Sequence, residues 1–173
     1  MPNPMENIAA KAAAKAAAVG ARAKGLTGVF SKLAEQHTEV KVLLKRAESL
    51  DDTGKRQDLW ATIRRDLLSH ERAEIAAVYP ALDEMESTRD IVARHNEEAE
   101  TLEATIAEID LAGSDSEHWK SLMQRLTELV KHHVDEEENE FFPRAQETIG
   151  KDKTQELAGA YSAAQERIME GMA

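Results

Sequence analysis

Apolar residues recur at intervals of three and four through four long segments. The first carries Leu26, Phe30, Leu33, His37, Val40, Leu44 and Ala47, and the second Trp60, Ile63, Leu67, His70, Glu74, Ala77, Ala81 and Met85. A third stripe runs Ile91, His95, Ala99, Leu102, Ile106, Ile109, and a fourth Trp119, Leu122, Leu126, Leu129, His133, Glu137, Phe141. Spacing near 3.6 residues marks one face of a helix. Asp51, Asp52 and Gly54 separate the first helix from the second. Ser87 with Asp90, and Ser114 with Glu117, have capping-box spacing and are expected to open the third and fourth. Gly113 and Gly150 are expected as left-handed C-terminal caps. A last stripe of Leu157, Tyr161, Ala164 and Ile168 predicts a short fifth helix. Short connections make successive helices antiparallel, so the predicted fold is all-α, an up-down-up-down four-helix bundle.

Composition agrees. Aromatics are 4% and charged residues 32% of 173 residues, and β-branched runs are few, which favours helix in a single domain. The expected division is an Ala/Lys-rich arm over 1–25, the bundle over 26–149 and the C-terminal helix over 150–173. The arm holds Lys11, Lys15, Arg22 and Lys24 against Glu6, a charge of +3 that leaves −14 for the remainder. A solvated or frayed helix is expected there, with contact to a membrane surface, nucleic acid or a protein partner as the functional alternatives. The net charge of −11 argues against nucleic-acid or anionic-membrane binding by the bundle. Cysteine is absent, which excludes disulfides, thiolate metal sites and a cysteine nucleophile. No apolar run reaches the roughly 18 residues of a membrane span, and Lys11 and Lys15 interrupt the N-terminal alanines, unlike a secretory signal. A soluble, cytoplasmic protein, monomeric or homodimeric, is expected.

Six polar residues break the apolar stripes. Each helix places one histidine on its core face, His37, His70, His95 and His133, and two helices add Glu74 and Glu137 four residues later. Ionised carboxylates are rarely buried unless paired or bound to metal. The pattern is also an internal repeat: Pro80 follows Glu74 by six residues, Pro143 follows Glu137 by six, and a single histidine precedes each His-x-x-x-Glu unit by 33 or 38. At about 1.5 Å of rise per residue, the distances from the turns bring all six to one layer of the bundle. Imidazole and carboxylate without thiolate suit iron, manganese or zinc. Four histidines and two carboxylates exceed the needs of one ion and match two. Two divalent ions, two glutamates and one hydroxide nearly cancel in charge, which a core can accept.

These residues carry a resemblance. Glu35-Gln36-His37, His70-Glu71-Arg72-Ala73-Glu74 with Tyr79-Pro80, Arg94-His95-Asn96-Glu97, and His133-Val134-Asp135-Glu136-Glu137-Glu138 with Phe141-Phe142-Pro143 resemble the hemerythrin-like (HHE cation-binding) family over about residues 26–149. The resemblance implies a non-haem pair of oxo- or hydroxo-bridged iron ions, with manganese or zinc less favoured. It makes His37, His70, His95 and His133 terminal ligands and Glu74 and Glu137 bridges. Oxygen-carrying members have a second histidine on the third helix where this chain has Ala99. That departure implies a more open iron beside His95, or Glu98 in the vacant place. Glu71 is a candidate hydrogen-bond partner of a ligand histidine, or an exposed side chain. His132 and His118 are expected at the surface.

The functional expectation is a di-iron protein that binds or reacts with O2, peroxide or NO, including peroxide decomposition under oxidative or nitrosative stress. No separate catalytic acid or base is assigned. The alternatives are a metal- or gas-responsive sensing module without turnover, and a metal-free helical scaffold. Glu-x-x-His pairs of ferritin-like proteins, the zinc-protease His-Glu-x-x-His, Gly-x-Ser-x-Gly and phosphate-binding loops are absent from the sequence.

Overall fold

A computed structural model describes residues 4–114 and 116–172. Residues 1–3 of the expected arm and Ala173 of the C-terminal segment lie outside the described residues. The elements are α1 (Pro4–Ala23), α2 (Gly28–Ser49), α3 (Thr53–Ala77), α4 (Tyr79–Asp83), α5 (Arg89–Leu111), α6 (Glu117–Glu136), a π-turn (Glu137–Phe141), α7 (Phe142–Ile149) and α8 (Lys151–Met172). All are helical, as the 3.6-residue periodicity requires. α2 packs against α3 and α6, and α5 against α3 and α6, which closes the four-helix bundle.

Prolines divide two of the rods at matching points. A proline inside a helix lacks an N–H and its ring presses on the carbonyl four residues back. Pro80 coincides with the break between α3 and α4, and Pro143 with the change from π-turn to α7. In the second case the Phe142 N–H reaches back five residues to the Glu137 carbonyl. A π-turn of this kind adds a residue to the helix and is common beside functional sites. Here it accompanies the burial of Phe141 and Phe142 together, although they are consecutive.

Several helix ends differ from the expected caps. Asp52 caps α3 by accepting the Lys55 N–H. Ser116 rather than Ser114 caps α6, accepting the Trp119 N–H, while Ser114 is buried and its carbonyl accepts from Arg56. Ser87 does not cap α5. The N-cap position belongs to Thr88, whose hydroxyl donates to the Leu82 carbonyl at 2.6 Å, and Ser87 meets Thr148 instead. α5 ends on extended Ala112, not on Gly113, and Gly150 has a positive φ of 81° but a ψ of 161°, outside the left-handed helical region expected of it.

Two helices outside the bundle also pack. α1 lies along α2 and buries Ala14 and Ala21, so the arm is a docked helix rather than a solvated one. α8 runs 22 residues, longer than the short helix expected, and packs on α2 and α3 through Leu157, Tyr161 and Ala164. Its close approach to α2 needs Gly28, which has φ of +54° and faces the Thr154 backbone.

The core falls into two apolar clusters. One gathers Phe30, Leu33, Leu82, Ile91, Phe141 and Phe142, and the other Leu44, Ile63, Ile106, Trp119, Leu122 and Leu126. Along α2, His37 falls between Leu33 of the first cluster and Val40 of the second, and His95 falls between Ile91 and Leu102 on α5. The polar layer therefore separates two dry halves. Among the described residues no helix is long and apolar enough to cross a membrane.

Candidate metal centre

His37 on α2, His70 and Glu74 on α3, His95 on α5, His133 on α6 and Glu137 on the π-turn are all buried and brought together. His37, His70 and Glu137 converge within 4.8 Å of one another, as do His95, Glu98 and His133. Glu137 faces both groups. One oxygen, Oε2, lies 3.0 Å from His37 Nε2, and the other, Oε1, lies 3.4 Å from His133 Nε2 and 3.8 Å from His95 Nδ1. Glu74 Oε2 is 3.6 Å from His70 Nε2. These approaches are not aligned as hydrogen bonds. The Nε2 atoms of all four histidines and both carboxylate oxygens of Glu74 and Glu137 are buried without a hydrogen-bond partner among the described residues. Leaving one such group unsatisfied costs about 1–3 kcal/mol, and more if it is charged. A cation at the centre would satisfy them together, and the donor set fits one.

The far sides of the rings are held. The Nδ1 of His37 donates to Glu138 at 3.0 Å, that of His70 to Gln36 at 2.9 Å, and that of His133 to Glu98 at 2.8 Å. Such bonds fix the tautomer and leave Nε2 free for the centre. The Tyr161 hydroxyl donates to the same Gln36 oxygen at 2.6 Å and lies 3.2 Å from His70 Nδ1. Gln36 in turn donates to Gln165 at 2.9 Å. Phe141 stacks on His95, with centroids 4.8 Å apart, and Phe142 on His37 at 5.7 Å.

Burial and mutual charge perturb the titrations. Burial raises the Glu74 pKa well above the carboxylate range, and the charges of Glu137 and Glu71 add to it. Burial would also raise Glu137, but His133 and His37 outweigh it and hold this carboxyl below its ordinary value. His37 and His133 rise despite burial because Glu137 and its neighbours favour the imidazolium. His70, buried and beside His37, falls to about 3.

A pH prediction follows for the metal-free chain. Raised groups contribute stability that is complete below their unfolded values, 4.5 for Glu74 and 6.5 for His37 and His133, and is lost as pH climbs through the folded ones. His70 acts oppositely: its contribution is lost as pH falls from 6.5 toward 3. The metal-free stability is therefore expected to fall as pH rises above about 7. Urea midpoints between pH 5 and 9 check this, and a midpoint that climbs across the alkaline half would contradict it.

Glu71 and Glu98 are candidates from the sequence, whereas Gln36, Glu138 and Tyr161 carry no assignment there. Glu71, balanced there between a hydrogen-bonding and an exposed place, is buried, with Oε2 at 3.5 Å from His133 Nε2. Glu98 is half-buried, with Oε2 2.8 Å from His133 Nδ1. Gln36 and Glu138 adjoin ligand candidates in the quoted motifs, which is a signal of position but not of role. Tyr161 sat on an apolar stripe, and nothing in its spacing tied it to His70. His132 and His118 are exposed as expected. Tyr161→Phe removes a hydroxyl from the Gln36 bridge and is expected to weaken metal affinity by about 10–100-fold. Competition against a chelator measures it, and unchanged affinity would contradict the bridge.

Residues 29–145 match the family described as the Hemerythrin HHE cation binding domain. A protein from Nostoc sp. (strain PCC 7120 / SAG 25.82 / UTEX 2576) described as "DNA nickase" is 23% identical over 134 residues, covering 78% of this chain. The chain spans 38% of that relative's length. No solved structure matches the chain.

Proposed function

The chain belongs to the hemerythrin HHE cation-binding domain family, and we propose that it holds two iron ions and reacts with O2, peroxide or NO. In this reading His37, His70, His95 and His133 would supply nitrogen and Glu74 and Glu137 carboxylate oxygen to the ions. One observation carries it: the two oxygens of Glu137 face different histidine groups, Oε2 toward His37 and Oε1 toward His133 and His95. That division is the one a carboxylate shared by two cations would present. When bound, the iron pair supplies two electrons to a small molecule at an open position.

The chain's own residues do the rest. Glu138, Gln36 and Glu98 hold imidazole protons on the outer nitrogens and so orient the inner ones. Phe141 and Phe142 cover His95 and His37 and keep water from that side. Glu98 Oε2 lies 3.5 Å from His95 Nδ1. That oxygen also accepts from His133 Nδ1 at 2.8 Å, so Glu98 links the two rings next to Ala99. Burial pushes Glu74 toward its protonated form, and a cation bound there would displace that proton.

Sensing without turnover is the second reading. Tyr161 ties α8 to His70, so a change at the centre is transmitted to an exposed helix end. The activity named for the Nostoc relative sits poorly with this chain, since a net charge of −11 repels a phosphate backbone. Iron-loaded, anaerobically reduced protein exposed separately to O2, hydrogen peroxide and NO tests the proposal. New absorption bands with peroxide consumption support reaction, bands without consumption support sensing, and no spectral response to any of the three overturns both.

A further inference from the structure

Two openings reach the candidate centre, and their charges differ. Glu71 lines both. One, of about 280 Å³, otherwise carries Lys11 and Arg65 against Glu39 and Asp66, which offset one another. The other, of about 370 Å³, carries Glu97 and Glu98 against the guanidinium of Arg94, with His132 and His133 beside them. An excess of carboxyl groups in a cleft draws cations toward it.

At the rim of the second opening, α5 and α6 bring three donors together. His132 and Glu136 are four residues apart on α6 and share a face, with Nε2 3.8 Å from Oε1. Glu98 of α5 joins them, and one donor atom from each of the three lies within 4.8 Å of the others. Two carboxyl groups this close repel each other unless a proton or a cation lies between them. Glu136 Oε2 is shielded from solvent and has no hydrogen-bond partner among the described residues. Arg94 stands 3.9 Å from that oxygen and 3.5 Å from Glu140, so its guanidinium is shared and leaves Oε2 unbonded. Farther in, Glu71 is 2% exposed and its Oε1 also lacks a partner among the described residues. A carboxyl oxygen so buried calls for a donor or a cation, and imidazole with carboxylates suits a divalent one.

We infer that Glu98, His132 and Glu136 form a further, exchangeable site for a divalent cation, and that it admits iron to the centre past Glu71. The His132 side chain is 67% exposed, so water completes the shell and the ion is free to move on. Glu98 serves both places: its Oε2 accepts from His133 Nδ1 at 2.8 Å, which sets a cation on this carboxylate beside a ring of the centre. The inference rests on the proposed function for the ion's destination, whereas the rim site has its own donors.

Ferrous iron added anaerobically to the full metal-free chain, with desalting and iron quantification at intervals, tests the route. The double variant His132→Ala/Glu136→Gln is expected to load at least about tenfold more slowly, yet to reach the native plateau. Glu48→Gln removes one exposed carboxylate near the α2–α3 turn and is expected to load at the native rate. An unchanged rate in the double variant, a lowered plateau, or equal slowing by Glu48→Gln overturns the entry site. Mn2+ titrated into the iron-loaded chain and followed by electron paramagnetic resonance reads the rim site itself. One further ion is expected on the native chain and none on the double variant. No Mn2+ binding, or binding that the double variant retains, overturns the inference and leaves the centre in place. A native chain that takes up no iron removes the centre and the route to it, and Mn2+ binding that the double variant then loses keeps the rim site alone.

Discussion

Replacing Glu74 and Glu137 together by leucine is expected to abolish metal uptake and, in the same experiment, to make the metal-free chain more stable by about 1–4 kcal/mol. Both carboxyls are fully buried, and none of their four oxygens has a hydrogen-bond partner among the described residues. Without metal, burial pushes Glu74 toward its protonated form, and Glu137 is a buried carboxyl held toward its charged form, against burial, by His133 and His37. Leucine has similar bulk, removes both desolvation costs and lets His37 and His133 relax to the neutral form. Metal reverses the order, because a ligand at a thousand times its Kd adds about 4 kcal/mol to the native chain and nothing to the variant. Denaturation of both proteins with and without metal measures all four stabilities. A variant less stable than the metal-free native chain would mean that the carboxylates serve the fold and not a cation.

Gly28→Ala carries the second large effect. Gly28 begins α2 at φ +54°, a backbone that an L side chain adopts at a cost of about 1–2 kcal/mol. A Cβ there would also overlap the Thr154 carbonyl of α8, a backbone atom that cannot swing aside as a side chain could. Relief requires α8 to lift from α2 near Thr154, loosening the helix that carries Tyr161 and Gln165. A loss of about 2–4 kcal/mol is expected, together with weaker metal binding through the Gln36 bridge. Hydrogen exchange along α8 should quicken before the rest of the bundle. Native stability with unchanged α8 exchange would show that this contact is not needed.

The bundle was legible because a period of 3.6 leaves one face per helix for the core, and that face is nearly unbroken in four segments. The candidate centre was legible for the same reason. His37, His70, Glu74, His95, His133 and Glu137 are the polar residues that violate those faces, and counting from the turns places them at one height. What the stripes could not reveal depends on neighbours. Glu71 follows His70 by one residue and so turns about 100° away around α3, which reads as surface on an isolated helix. It is buried only because the assembled bundle surrounds α3. Tyr161 belongs to an apolar stripe whose hydroxyl end has no periodic signature, and its partner Gln36 lies 125 residues earlier. The π-turn has only an indirect mark, Pro143 six residues beyond Glu137. Ser87 and Ser114 misled because cap spacing is a local rule: the Ser87 hydroxyl meets Thr148 from elsewhere in the fold, and Ser116 takes the cap of α6 instead of Ser114.

Two metals sharing Glu137 is the claim on which the rest depends, and anaerobic iron loading followed by iron and protein quantification tests it most directly. Native protein is expected to retain about two irons per chain after desalting, and Glu137→Leu to retain none, the stoichiometry that two ions sharing a carboxylate would give. One iron per native chain, or two irons retained by Glu137→Leu, would contradict the shared carboxylate.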